Sequence, residues 1–311
     1  MSGIIMYHFL RTFGRKGAGL VALGIAYLAS MSAGSAQEPG AAGGRSMLWR
    51  VESEGRSLYI LGSVHMLPKS AYPLAPAIEQ AFEESDRIAF ELNLDSATNM
   101  GNAFALVQRG TYQDGRTLRS SISPETYKLL QQRLKKSGIP SVMFDRLEPW
   151  MVAMMLSAID MQNSGYENRY GIDMYFHDKA KKAGKEVVGL ETIDFQVDLF
   201  DKLPEEAQEE YLKQTLEMSS DSANGVVDSM VDAWKAGDTD LLEKIAGGSM
   251  SGNDELYRGM LYDRNHNWVP LIEGFLQSGD RYLVVVGALH LVGDDGVIEL
   301  LRNKGYSVEQ L

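Results

Sequence analysis

The chain has 311 residues, 44% of them apolar, and a formal charge of −12 from 30 Lys and Arg against 42 Asp and Glu. That length and apolar share suffice to bury a large core. The acidic balance argues against nucleic acid or an anionic lipid surface as partner, since both recruit Lys and Arg. Cysteine is absent, which removes thiol nucleophiles, thiolate zinc sites and disulfides.

The amino terminus carries Arg11, Arg15 and Lys16 ahead of the apolar run GAGLVALGIAYLASMSAGSA. A basic segment, an apolar stretch and small residues before Ala36 predict a secretory signal over 1–36, cleaved after Ala36, with an uncleaved membrane anchor as the alternative. Residues 37–46 are small and polar and predict a linker. The remainder, 47–311, is expected to lie in the periplasm or to be secreted, and it has no further run long enough to span a membrane.

MLWRVES and RSLYILGSVH, with Glu54-Gly55 between them, predict a hairpin. PLAPAIEQAFEES has helical spacing, and RIAFELN is a short β-type run. From Ala97 to about Asn163 the pattern is helical, broken near Gly110–Gly115 and at Pro140 and Pro149. Asp173 to Ala183 predicts a helix stopped by Gly184, and KEVVGLE predicts a strand. Pro204 to Gln277 is again helical, interrupted at Gly237 and in GGSMSGND. RYLVVVGALH predicts a buried strand, DDGVIELLRNKG a helix and YSVEQL a last strand. The expected fold is mixed α/β: two β-α-β halves, each carrying a Gly-x-x-His motif, with a large helical insert between them.

The chemistry is expected at the strand ends, where parallel α/β sheets place their ligands. His65 closes LGSVH and His290 closes VGALH, and Gly62 and Gly287 allow a tight turn or a close approach there. The bland alternative is a pair of structural histidines. Glu91 and Glu191 end other β-runs, either as exposed strand ends or as buried acids that need a partner. Two His and two Glu at strand ends predict an oxygen and nitrogen site for Mn²⁺, Co²⁺ or Zn²⁺. Arg264 and Asn265 sit in YDRNHNW, where Arg264 holds a carboxylate or an oxyanion, or is an exposed helix charge. His266 reads as surface, Asp173 as a helix-start residue, and His177 as solvated. His8 falls in the signal. Gly-x-Ser-x-Gly, Gly-x-Gly-x-x-Gly and phosphate-loop motifs are all missing.

The segments LWRVE, LYILGSVHMLPKSAYPLAPAIEQAFEESDRIAFELNLD, YGIDMYFHDKAKKAGKEVVGLETIDFQ, LYDRNHNWVPLI and YLVVVGALHLVGDDGVIELLRNKGYSVEQL together resemble the TraB/GumN family, which includes the animal Tiki proteins. The resemblance covers residues 47–311. It implies a metal-dependent peptidase-like scaffold similar to the erythromycin-esterase and ChaN haem-binding folds. Tiki members trim the amino terminus of secreted Wnt proteins and favour Mn²⁺ or Co²⁺, but a bacterial-looking signal gives no reason to carry that substrate over. By motif match His65 and His290 are the metal or catalytic histidines, Glu91 and Glu191 the acids and Arg264 the arginine. A peptide or protein substrate is expected: a metal held by His65, His290 and one glutamate, the other glutamate as base, and Arg264 on a substrate carboxylate or oxyanion. The alternatives are a non-catalytic haem- or peptide-binding protein and an esterase.

Overall fold

A computed structural model describes residues 45–97, 100–163, 165–217, 220–249 and 257–311; the expected signal and the linker up to residue 44 lie outside the described residues. The chain enters as the expected hairpin. Strands β1 (Leu48–Ser53) and β2 (Arg56–Ser63) pair antiparallel, with Ser53 opposite Arg56. Glu54 and Gly55 both take positive φ, 50° and 77°, which gives a two-residue turn whose twist matches its strands.

Helix α1 (Pro76–Glu84) then leads to strand β3 (Arg87–Leu92). The insert follows as α2 (Met100–Arg109), α3 (Pro124–Ser137), α4 (Pro149–Asn163) and α5 (Ile172–Ala183), the last ended by Gly184 at φ 67°. Strand β4 (Glu186–Glu191) returns to the sheet. Helices α6 (Ile193–Asp201), α7 (Glu205–Glu217), α8 (Ser220–Ala236), α9 (Thr239–Ser249) and α10 (Asp263–Ser278) lead on to strand β5 (Tyr282–Gly287). Helix α11 (Val297–Asn303) and strand β6 (Ser307–Gln310) close the chain.

The six strands form one mixed sheet in the order β4-β3-β5-β2-β1-β6. β2, β5, β3 and β4 run parallel, while β1 is antiparallel to both β2 and β6. β6 therefore runs in the direction of β5, so β2-α1-β3 and β5-α11-β6 are both crossovers between strands of one direction. The two halves interlock, because β5 of the second inserts between β2 and β3 of the first. Ser63 is paired opposite Gly287, and both Gly-x-x-His segments leave neighbouring strands at the same carboxyl edge.

Burial follows composition. Leu283 to Val286 of central β5 are fully buried, as an apolar run in a strand covered on both faces should be. Helix α4 buries residues all around its circumference from Trp150 to Leu156, so it lacks the polar face of a surface helix. His177 differs from expectation: it is buried, with its ring 6.1 Å from that of Phe90. It shares with Asp173 the face of α5 that turns to the sheet, and burial lowers its pKa below the usual histidine value.

Candidate functional site

At the exit of β2 the backbone is crowded. A Cβ on Gly62 would meet Ala288 Cα at 3.1 Å and Met47 Cβ at 3.3 Å, and the Gly62 carbonyl accepts from Trp234 Nε1 of α8 at 2.7 Å. Glycine serves here for close approach of the neighbouring strand's exit. Beyond it, His65 Nδ1 lies 2.7 Å from Asp173 Oδ2, and Ser63 Oγ donates to Asp173 Oδ1 at 3.0 Å. Asp173 lies in the first turn of α5, as expected, but its side chain is buried and turned to the β2 exit. Burial opposes a charge on His65, yet the attraction and hydrogen bond of Asp173, with Glu91 adding, raise its pKa to about 9. Sequence reasoning missed Asp173 and Ser63 as members of the site.

Arg264 is not an exposed helix charge. It is fully buried in α10, where its Nε and Nη2 donate to the two oxygens of Glu191 at 2.9 and 2.8 Å. Nη2 also donates to Glu91 Oε2 at 2.7 Å, and Nη1 donates to the Met260 carbonyl at 3.2 Å. Met260 belongs to a π-turn, Arg258–Tyr262, immediately before α10, a distortion common at functional sites. Trp268, one turn further along α10, places its ring 4.7 Å from the guanidinium and donates to Glu191 Oε1 at 2.8 Å. Gln196 Nε2 bridges Glu191 Oε2 at 3.0 Å and Glu91 Oε2 at 3.4 Å. Two buried carboxylates coexist because one bidentate cation and neutral donors satisfy them.

Glu91 Oε1 accepts from the Gly287 amide at 2.7 Å, and a Cβ on Gly287 would sit 3.1 Å from that same oxygen. The second motif glycine thus leaves room for a carboxylate. Burial pushes Glu91 toward the neutral acid, but Arg264, both histidines and the Gly287 amide outweigh it and bring its pKa to about 2.

His290 is buried between Asn265, whose Oδ1 is 2.6 Å from Nδ1, and Arg264, whose Nη1 is 3.0 Å from Nε2. Burial and the Arg264 charge lower its pKa to about 3, so it is neutral where His65 is charged. His266 is exposed, as expected.

His65, Glu91 and His290 line one pocket with Val64, Met230, Leu261 and Leu289. Arg264 and Glu191 lie behind its wall. Among the described residues, no three His, Asp or Glu side chains form a ready ion cage. His65 and Glu91 line that pocket with one imidazole and one carboxylate, donor types that a hard or borderline divalent ion takes. The Asp173 carboxylate holds Nδ1 of His65, the usual way a ligating histidine is oriented, and an ion of the Mn²⁺ type accepts two protein donors with water completing its shell.

The fold and site define an α/β protein with a buried arginine-carboxylate cluster behind a pocket at the carboxyl edge of its sheet. The chain belongs to the TraB/PrgY/gumN family, whose sequence model matches residues 47–310. It is 26% identical to "Uncharacterized protein YbaP" of Escherichia coli (strain K12), over 79% of this chain and 88% of that one. It is 23% identical to "Metalloprotease TIKI homolog" of Amphimedon queenslandica and 22% identical to "Metalloprotease TIKI1" of Danio rerio, over 86% and 85% of this chain. The chain spans 61% and 63% of those longer proteins. No solved structure matches it significantly. No helix among the described residues is long and apolar enough to cross a membrane.

Proposed function

We propose that this protein is a metal-dependent hydrolase of peptide or protein substrates acting outside the cytoplasm. One observation carries the proposal: His65 and Glu91, delivered by different strands, face one pocket while buried partners behind it fix the orientation and charge of each. Relatives named as metalloproteases support the class. The basic-then-apolar run before Ala36 supports export.

His65 and Glu91 would hold the ion, Mn²⁺ or Co²⁺ ahead of Zn²⁺, and bound there it supplies Lewis acidity and a water acidified toward neutral pKa. Asp173 fixes the His65 ring so that Nε2 is left for the pocket. Arg264 keeps Glu91 ionised, and a carboxylate with a pKa of about 2 is a weak base but a dependable ligand. Glu191 is spent on Arg264, Trp268 and Gln196, so its role is to hold the arginine. Val64, Met230, Leu261 and Leu289 shed water from the substrate.

Peptide cleavage in Mn²⁺ by wild type, Glu91→Gln and Glu191→Gln tests this. Loss on the order of 100-fold in Glu91→Gln is expected, with a smaller loss in Glu191→Gln. Full activity in both variants overturns the assignment.

A further inference from the structure

We infer that the two motif histidines do different jobs: His65 works at the pocket face, and His290 is a positioning residue that locks Arg264. The inference rests on the metal-dependent reading above and divides the site more finely than the paired motifs suggest.

The assignment follows from donors and acceptors. The Asp295 carbonyl can only accept, so the Asn265 group 2.8 Å from it is the Nδ2 donor. The amide oxygen of Asn265 therefore faces His290, and Nδ1 of His290 must carry the hydrogen. With Nδ1 protonated, Nε2 offers a lone pair. Arg264 Nη1, which can only donate, fills it at 3.0 Å. Both ring nitrogens are committed before any ion or substrate arrives. An ion at Nε2 would have to displace a guanidinium that is also bound to two carboxylates and the Met260 carbonyl. Trp268 packs against the imidazole, its ring 4.4 Å from that of His290.

His65 differs at each step. Its Nδ1 faces a carboxylate, so Nδ1 carries the hydrogen, and no described residue bonds its Nε2. His290 thus ties the loop after β5 to α10 twice, to Asn265 through Nδ1 and directly to the guanidinium that holds Glu91 through Nε2. It acts on the pocket through Arg264.

Calorimetric titration of the full chain with MnCl₂, compared with His65→Gln and His290→Gln, tests the division. Glutamine at 290 can still accept from Arg264 through its carbonyl, so the two changes are chemically matched but fall on different roles. Mn²⁺ affinity is expected to drop on the order of 100-fold or more in His65→Gln and to stay within about tenfold in His290→Gln. In parallel, His290→Ala should melt well below wild type and His290→Gln should recover most of the difference. Equal loss of Mn²⁺ binding in the two Gln variants overturns the inference and leaves the metal reading standing. A folded wild type that takes up no Mn²⁺ overturns the metal reading; His290→Ala melting with wild type overturns the lock.

Discussion

His65 Nδ1 lies 2.7 Å from Asp173 Oδ2, and the contact joins the exit of β2 to the first turn of α5 across 108 residues. Because the pKa of His65 is raised from 6.5 to about 9, the pair stabilises the fold fully below pH 6.5. That contribution is lost as pH rises through 9. The shift corresponds to about 3 kcal/mol at most. Urea denaturation between pH 6 and 10 should show the decline, and Asp173→Asn should remove it. In that variant NMR titration should find His65 at or below its ordinary pKa, since burial then outweighs the remaining attraction of Glu91.

Ion uptake should follow the same proton. His65 must lose its charge to become a ligand, so the apparent Mn²⁺ affinity should rise about tenfold per pH unit below pH 9. Titrations at pH 7 and pH 8 in buffers of different ionisation enthalpy would show about one proton released per ion.

Removing Arg264 strands two buried carboxylates. Arg264→Met should cost about 3–5 kcal/mol in urea denaturation. Arg264→Lys should recover little of that, because an ammonium cannot span both oxygens of Glu191 and also reach Glu91.

Gly171 precedes α5, and its backbone packs on that of His65; a Cβ there would overlap the His65 carbonyl oxygen. Its φ of −60° is ordinary, so the glycine is needed for space and not for an unusual backbone. Gly171→Ala should cost about 2 kcal/mol or more through overpacking. It should also reduce Mn²⁺ affinity by shifting His65, readable in the same calorimetric titration.

Much of this arrangement can be read along the chain. Short apolar runs mark β2, β3 and β5, and a glutamate at the end of such a run, as at Glu91, needs a partner once buried. The i, i+4 spacing of Arg264 and Trp268 already sets them on one helix face. Asp173 gives no such sign, because an acid in the first turn of a helix is satisfied by the helix itself. His177 looks like a surface residue for a similar reason: KAKKA beside it is charged, and only the sheet shows which face is covered. The insertion of β5 between β2 and β3 is a long-range pairing that no local pattern encodes.

That insertion has a consequence for timing. Until residues 282–287 arrive, β2 and β3 each keep an unpaired edge where β5 will lie. A ribosome delivering the chain from its amino terminus releases this central strand only after helices α1 to α10. A nascent or truncated chain therefore has neither the completed sheet nor the pocket. It carries open strand edges prone to mispairing, and the pocket can form only once β5 has been delivered.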